Sequence, residues 1–288
     1  MTWLVAASLL FAFSFGLIKG QLAGVDPVAV SAGRLVLAAA AFAPLLGRVS
    51  LHRKVAVRAF LLGMLQFGLM YVLYISAFAR LPAWLVALLT VFTPIYVTLL
   101  ADLFARRFRP RHLAAAAAAV AGAGFIVVQG LPEGVDWPGV ALVQGSNLCF
   151  ALGQVAFPGL QRRAGGHEAV LVAWMYQGAA LLTLVAVGLR GGDVLAGWDG
   201  PALLTVLYLG LVPTAAGFYL WNRGATRTGA GRLAAANNLK VPLAVLISWW
   251  VFGESADYLR VLLGLAVVTA ALFLAGRRAG ETSGGRDP

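Results

Sequence analysis

Residues 239–254 read LKVPLAVLISWWVFGE, and residues 92–104 read FTPIYVTLLADLF. Each is an apolar run with a proline near its middle and an aromatic residue at its exit. A shift of 148 positions lays Pro94 on Pro242 and Phe104 on Phe252. Upstream, the same shift pairs Tyr71 with Tyr219, Ala77 with Ala225, Leu85 with Leu233 and Ala87 with Ala235. Downstream it pairs Val120, Ala123 and Phe125 with Val268, Ala271 and Phe273. Alanine-rich sequence gives chance matches, so the prolines and tyrosines carry most of the weight. An offset held over some fifty residues without a gap marks a chain written twice.

The solvent of this chain is a bilayer. Of its 288 residues, 61% are hydrophobic and 11% charged, too little charge to cover a soluble surface. A transmembrane helix needs about 20 mainly apolar residues. Ten such runs fall near 2–19, 27–47, 57–79, 82–104, 112–130, 138–158, 168–189, 200–221, 230–252 and 257–275. An all-α integral membrane fold is therefore expected, with ten transmembrane helices as two inverted five-helix repeats. The first repeat covers 1–130 and the second 136–276, followed by a disordered cytoplasmic tail over 277–288. Five is odd, so the second copy enters the membrane from the opposite side, with a substrate site near the midplane where the copies meet.

The net charge of +11 is a topology signal. With the N-terminus inside, sixteen of the 22 Lys and Arg residues fall in cytoplasmic loops and at the tail. Four fall outside (Lys19, Arg80, Arg190 and Arg260), and two, Arg34 and Lys240, lie within spans. This four-to-one bias is the positive-inside pattern. It predicts a multi-pass inner-membrane protein with both termini cytoplasmic, and it removes the nucleic-acid reading of the charge. Asp26, Glu133, Asp136, Asp193, Asp199, Glu254 and Asp257 fall on the outer side. The single cysteine, Cys149, excludes an intrachain disulfide. The first run is a full span and not a cleavable signal.

The two copies, with an interrupted fourth span in each, resemble the drug/metabolite transporter superfamily in its ten-helix EamA-type exporter branch. The residues carrying the likeness are the two proline stretches, Gly253-Glu254, AFSFGLIKGQL (12–22) and Arg34. The first copy departs from the pattern, with Ala105-Arg106 where the second has Gly-Glu. The resemblance implies a secondary transporter working as a monomer by alternating access. Its nearest likeness is to bacterial exporters of aromatic and other neutral amino acids. A drug or organic-cation exporter and a phosphorylated-metabolite exchanger are the alternatives within that class, and a lipid-modifying membrane enzyme is the alternative outside it. No Walker phosphate loop is present, so ATP does not drive the chain directly. No cofactor is expected, the partners being a small-molecule cargo and the lipid bilayer.

Several polar groups stand where apolar ones are cheaper. Pro242 frees the carbonyl of Asn238 from its helical bond. Asn237, Asn238 and Lys240 supply polar groups beside that break, whereas the first copy has Thr90, Val91 and Phe92 opposite Asn238 to Lys240. Lys240 lies too deep to snorkel and is the expected partner of a cargo carboxylate, the structural alternative being a bond to helix carbonyls. In the sixth span, Ser146, Asn147 and Gln154 form a polar stripe, which serves either a wet cavity or contact between helices. Gln66, Tyr74 and Tyr96 are further candidates for the cavity lining. Trp84 and Trp221, near span ends, fit an interfacial belt. Arg34, a third of the way into its span, is expected to snorkel or bind a carbonyl, with an anion site as the alternative. His52, His112 and His167 are scattered in loops and read as solvated rather than as metal ligands.

Overall fold

A computed structural model describes residues 2–106, 136–191, 193–194 and 196–227, with isolated positions 247, 250, 251 and 266. Seven helices in it are long and apolar enough to cross a membrane. They are α1 (Thr2–Gln21), α2 (Pro27–Leu45), α3 (Arg53–Phe78), α4 (Ala83–Phe104), α5 (Trp137–Arg163), α6 (Glu168–Arg190) and α7 (Gly200–Ala225). They match the first four expected spans and the sixth to eighth. The expected fifth span lies outside the described residues, as do nearly all of the ninth and tenth.

Helix starts are written locally. Asp26 Oδ1 accepts the backbone N–H groups of Val28 (2.8 Å) and Ala29 (3.0 Å), and Pro27 opens α2 where its missing N–H is not needed. Asp136 caps α5 by accepting from Gly139 N–H at 2.7 Å, and Asp199 caps α7 by accepting from Ala202 N–H at 2.7 Å. These three caps belong to the acids placed outside by the charge pattern. Two of the outer cations join them. Arg190 Nε donates to Asp26 Oδ2 at 2.6 Å, and Arg80 Nη1 lies 3.1 Å from Asp136 Oδ2. Lys19 Nζ donates to the Phe78 carbonyl at 2.8 Å. These bonds gather the ends of α1, α3 and α6 and the starts of α2 and α5 on one face. His52 caps α3, its Nδ1 accepting from Lys54 N–H at 3.2 Å.

Among the described residues, α2 ends in a 3₁₀ turn at Ala43–Leu45, and three other helices are interrupted within their length. In α4 a 3₁₀ turn at Thr90–Phe92 precedes Pro94, as the proline leads one to expect. In α3 a π-helical segment runs over Met64–Leu69, and in α7 another runs over Gly210–Gly217 around Pro213. Gln66 in one and Thr214 in the other stand 148 positions apart, the offset found in the sequence.

Packing is tight where the backbones touch. A Cβ on Gly63 of α3 would lie 1.9 Å from the Met175 carbonyl oxygen of α6, and one on Gly178 would lie 2.0 Å from the Phe60 oxygen. A Cβ on Gly210 of α7 would lie 2.7 Å from Leu37 and 3.2 Å from the Arg34 oxygen of α2. Glycine at such points substitutes for the hydrophobic drive that lipid does not supply between helices. The main packed pairs are α2 with α6, α3 with α6, α2 with α7, α3 with α5, α1 with α7 and α4 with α5. Exchanging α1 with α5, α2 with α6 and α3 with α7 maps the first five of these pairs onto themselves.

Candidate functional site

Among the described residues, those of α1, α2, α3, α4, α5 and α7 line a cavity of about 70 Å³. At roughly 10–15 Å³ per water this is room for a few solvent molecules. Phe11, Phe15, Phe150, Phe218 and Trp221 supply much of its apolar wall. The rings pack at angles to one another: Phe11 on Phe218 at 4.8 Å, Phe150 on Phe218 at 5.6 Å and Phe15 edge-on to Tyr74 at 5.9 Å between centroids. Ser14, Arg34, Tyr71, Thr90, Thr93, Ser146 and Asn147 add the polar part.

Arg34 is the cation of this site, with 1% of its surface exposed. It does not snorkel, and among the described residues it binds no carbonyl. Its Nε donates to Thr214 Oγ1 at 3.1 Å and its Nη2 to Tyr71 Oη at 2.8 Å, and the guanidinium lies 4.3 Å from the centre of the Tyr71 ring. The backbone of α7 explains why Thr214 is there. Pro213 has no N–H to give the Leu209 carbonyl four residues back. Thr214 Oγ1 donates to that carbonyl instead, at 2.7 Å. Its one proton spent, the hydroxyl can only accept from Arg34 Nε and from Tyr71 Oη at 3.1 Å. Tyr176 Oη closes the same region by donating to the carbonyls of Thr214 (2.7 Å) and Ala215 (3.1 Å). Two of the five guanidinium protons, one on Nε and one on Nη2, have partners in this cluster, and Nη1 is buried without one. No carboxylate lies within ion-pair distance of Arg34 among the described residues. The unfavourable burial of a charge is therefore left to neutral hydroxyls and one aromatic face.

The opposite wall is built on the break in α4. Thr90 Oγ1 donates to the Ala87 carbonyl at 2.7 Å, and Thr93 Oγ1 lies 2.8 Å from the Thr90 carbonyl and 3.1 Å from Asn147 Oδ1. Asn147 Nδ2 donates to the Leu89 carbonyl at 2.9 Å. Asn147 thus lines the cavity and also joins α5 to α4, both of the roles the polar stripe offered.

Of the other sequence candidates, Tyr74 lies in the cavity wall. Gln66 and Tyr96 do not. Gln66 is fully buried between α3 and Gly153 of α5, with neither amide atom hydrogen-bonded. Tyr96 Oη donates to Gln144 Oε1 at 3.1 Å between α4 and α5. Lys240, Asn237 and Asn238 lie outside the described residues, as do His112 and the 277–288 tail. Trp84 (4% exposed) and Trp221 (1%) are buried rather than interfacial, because the rotation of each helix turns its ring inward. Sequence reasoning also missed Phe11, Thr93 and Thr214. The signal for Thr214 was present, a Pro-Thr pair in the middle of an apolar span.

The EamA-like transporter family model matches residues 1–128 and 137–276. The chain belongs to the EamA-like transporter family. A biotin transporter of Salmonella typhimurium is 34% identical over 281 residues, covering 95% of this chain and 92% of the relative. A probable biotin transporter of Pseudomonas aeruginosa is 37% identical over 277 residues, covering 95% and 96%. A probable terminal-alkyne amino-acid exporter of Streptantibioticus cattleyicolor is 28% identical over 279 residues, covering 96% and 92%. One solved crystal structure superposes with a TM-score of 0.64 at 22% identity, covering 94% of this chain and 98% of that one, and shares the fold. This is a multi-pass membrane transporter for small molecules.

Proposed function

We propose that this chain carries biotin, or a closely similar vitamin, across the inner membrane by alternating access of two inverted five-helix repeats. The aromatic cavity carries the reading, because its rings suit the thioether ring and aliphatic chain of such a cargo and its polar wall suits the ureido and carboxylate ends. The curated relatives at 33–37% identity named for biotin support this cargo over the free amino acids that the sequence resemblance implies. The exchange symmetry of the helix contacts, the paired π-helical segments and the two family matches support the repeat. At about 70 Å³ the cavity is smaller than such a cargo, so in this reading cargo enters as it widens toward one side. Lys240, Asn237 and Asn238 remain sequence-based candidates for the second copy's share of the site.

The test is flux. Purified protein in liposomes is expected to exchange labelled biotin at a rate that unlabelled biotin suppresses and aromatic amino acids do not. Suppression by the amino acids instead favours the second reading, which rests on the amino-acid exporter at 28% identity. For Lys240, transport lost in Lys240→Met with folding intact keeps it in the site, and undiminished flux removes it.

A further inference from the structure

We infer that Arg34 is the anchor for a carboxylate on the cargo, which rests on the transport reading above and assigns one end of the substrate. Thr214 and Tyr71 occupy the Nε and Nη2 edge of the guanidinium, and the end formed by Nη1 and the second Nη2 proton has no partner at Nη1. Two parallel N–H groups at that end match the two oxygens of a carboxylate. The side chain stands in the cavity wall, already fixed by two hydrogen bonds and a ring face, so little is lost in ordering it on binding.

The fold itself does not ask for this charge. The 148-position shift sets Leu182 of α6 opposite Arg34 of α2, and Leu182 packs toward Gly68 of α3. That copy makes the same kind of crossing without a cation at this place. A guanidinium in one copy and an aliphatic side chain in the other leaves the charge to be explained by what it meets. Nη1 is buried in this structure, so an anion reaches it only as the surrounding side chains part. Binding of the anion would then favour the widened state, because only that state offers the contact.

The experiment measures binding to purified full-length protein by competition, using acid and primary-amide pairs: biotin with biotinamide, and phenylalanine with phenylalaninamide. The intact chain is expected to bind the acid of its pair about tenfold or more tightly than the amide. Arg34→Gln should bring the acid down to the level of the amide while the amide shifts by less than about threefold. Arg34→Lys should restore part of the preference, since an ammonium keeps the charge without the fork. Equal binding of acid and amide by the intact chain overturns the inference, and so does an equal loss of both in Arg34→Gln. The first of these needs no variant to fold. Preference for phenylalanine over its amide, lost in Arg34→Gln, with no binding of biotin, would end the biotin reading and leave the anchor standing.

Discussion

Where α2 crosses α7, Arg34 lies over Gly210; where α6 crosses α3, Met175 lies over Gly63. Both crossings abut a π-helical segment, and in both a glycine lets the chains approach within reach of each other's backbone. Their chemistry differs. The first holds a guanidinium and two hydroxyls, and Tyr176 of α6 reaches the Thr214 and Ala215 carbonyls from outside it. The second holds a thioether, the Phe67 ring stacked on Tyr176 at 5.2 Å, and an amide with no partner at Gln66. The glycines thus belong to the architecture, and the polar cluster is an addition to one crossing only.

The largest expected effect attacks what the crossings share. Gly63→Ala drives a methyl group into the Met175 backbone, which cannot move aside as a side chain can. It should cost about 3 kcal/mol and much of the folded yield, read as a fall in melting temperature in detergent. Gly210→Ala meets mainly the Leu37 side chain and should cost less. Equal losses would mean the two crossings are not built on different neighbours.

Thr214→Val removes the hydroxyl that adds a bond to the Leu209 carbonyl and accepts from Arg34 Nε and Tyr71 Oη. A loss of about 2 kcal/mol is expected, the usual penalty for buried polar groups left unpaired. A melting temperature like that of the unaltered chain would show that the cluster does not hold the π-helical segment. Next, Arg34→Met replaces the guanidinium with an uncharged side chain of similar length. The protein should fold, because Tyr71 and Thr214 keep their mutual bond, while biotin flux falls about tenfold or more. The smallest effect is for Gln66→Leu, which replaces a buried amide without partners. Stability should rise by up to about 1 kcal/mol with flux unchanged. A loss of flux would place Gln66 on the cargo path after all.

Much of this architecture could be read from the sequence because it is local. The apolar runs give the seven described spans, Pro94 gives the break in α4, and Asp26, Asp136 and Asp199 sit where helices must begin. The surroundings of Arg34 could not be read in that way. Its partner Thr214 is 180 residues distant, so depth along one span says nothing of the hydroxyls waiting across the crossing. Trp84 and Trp221 fail for a related reason: position along a helix fixes depth in the membrane but not the side to which the ring turns. Asn147 was found because Ser146, Asn147 and Gln154 lie close on one helix, a pattern that survives without tertiary knowledge. Its attachment to Leu89 and Thr93 needed the neighbouring helix.

The central claim meets its most direct test in liposomes loaded with biotin and given labelled biotin outside, comparing the unaltered chain with Arg34→Met of matched folded content. Rapid exchange is expected of the unaltered chain, and a rate near that of protein-free liposomes of the variant. Equal exchange by both proteins would contradict it.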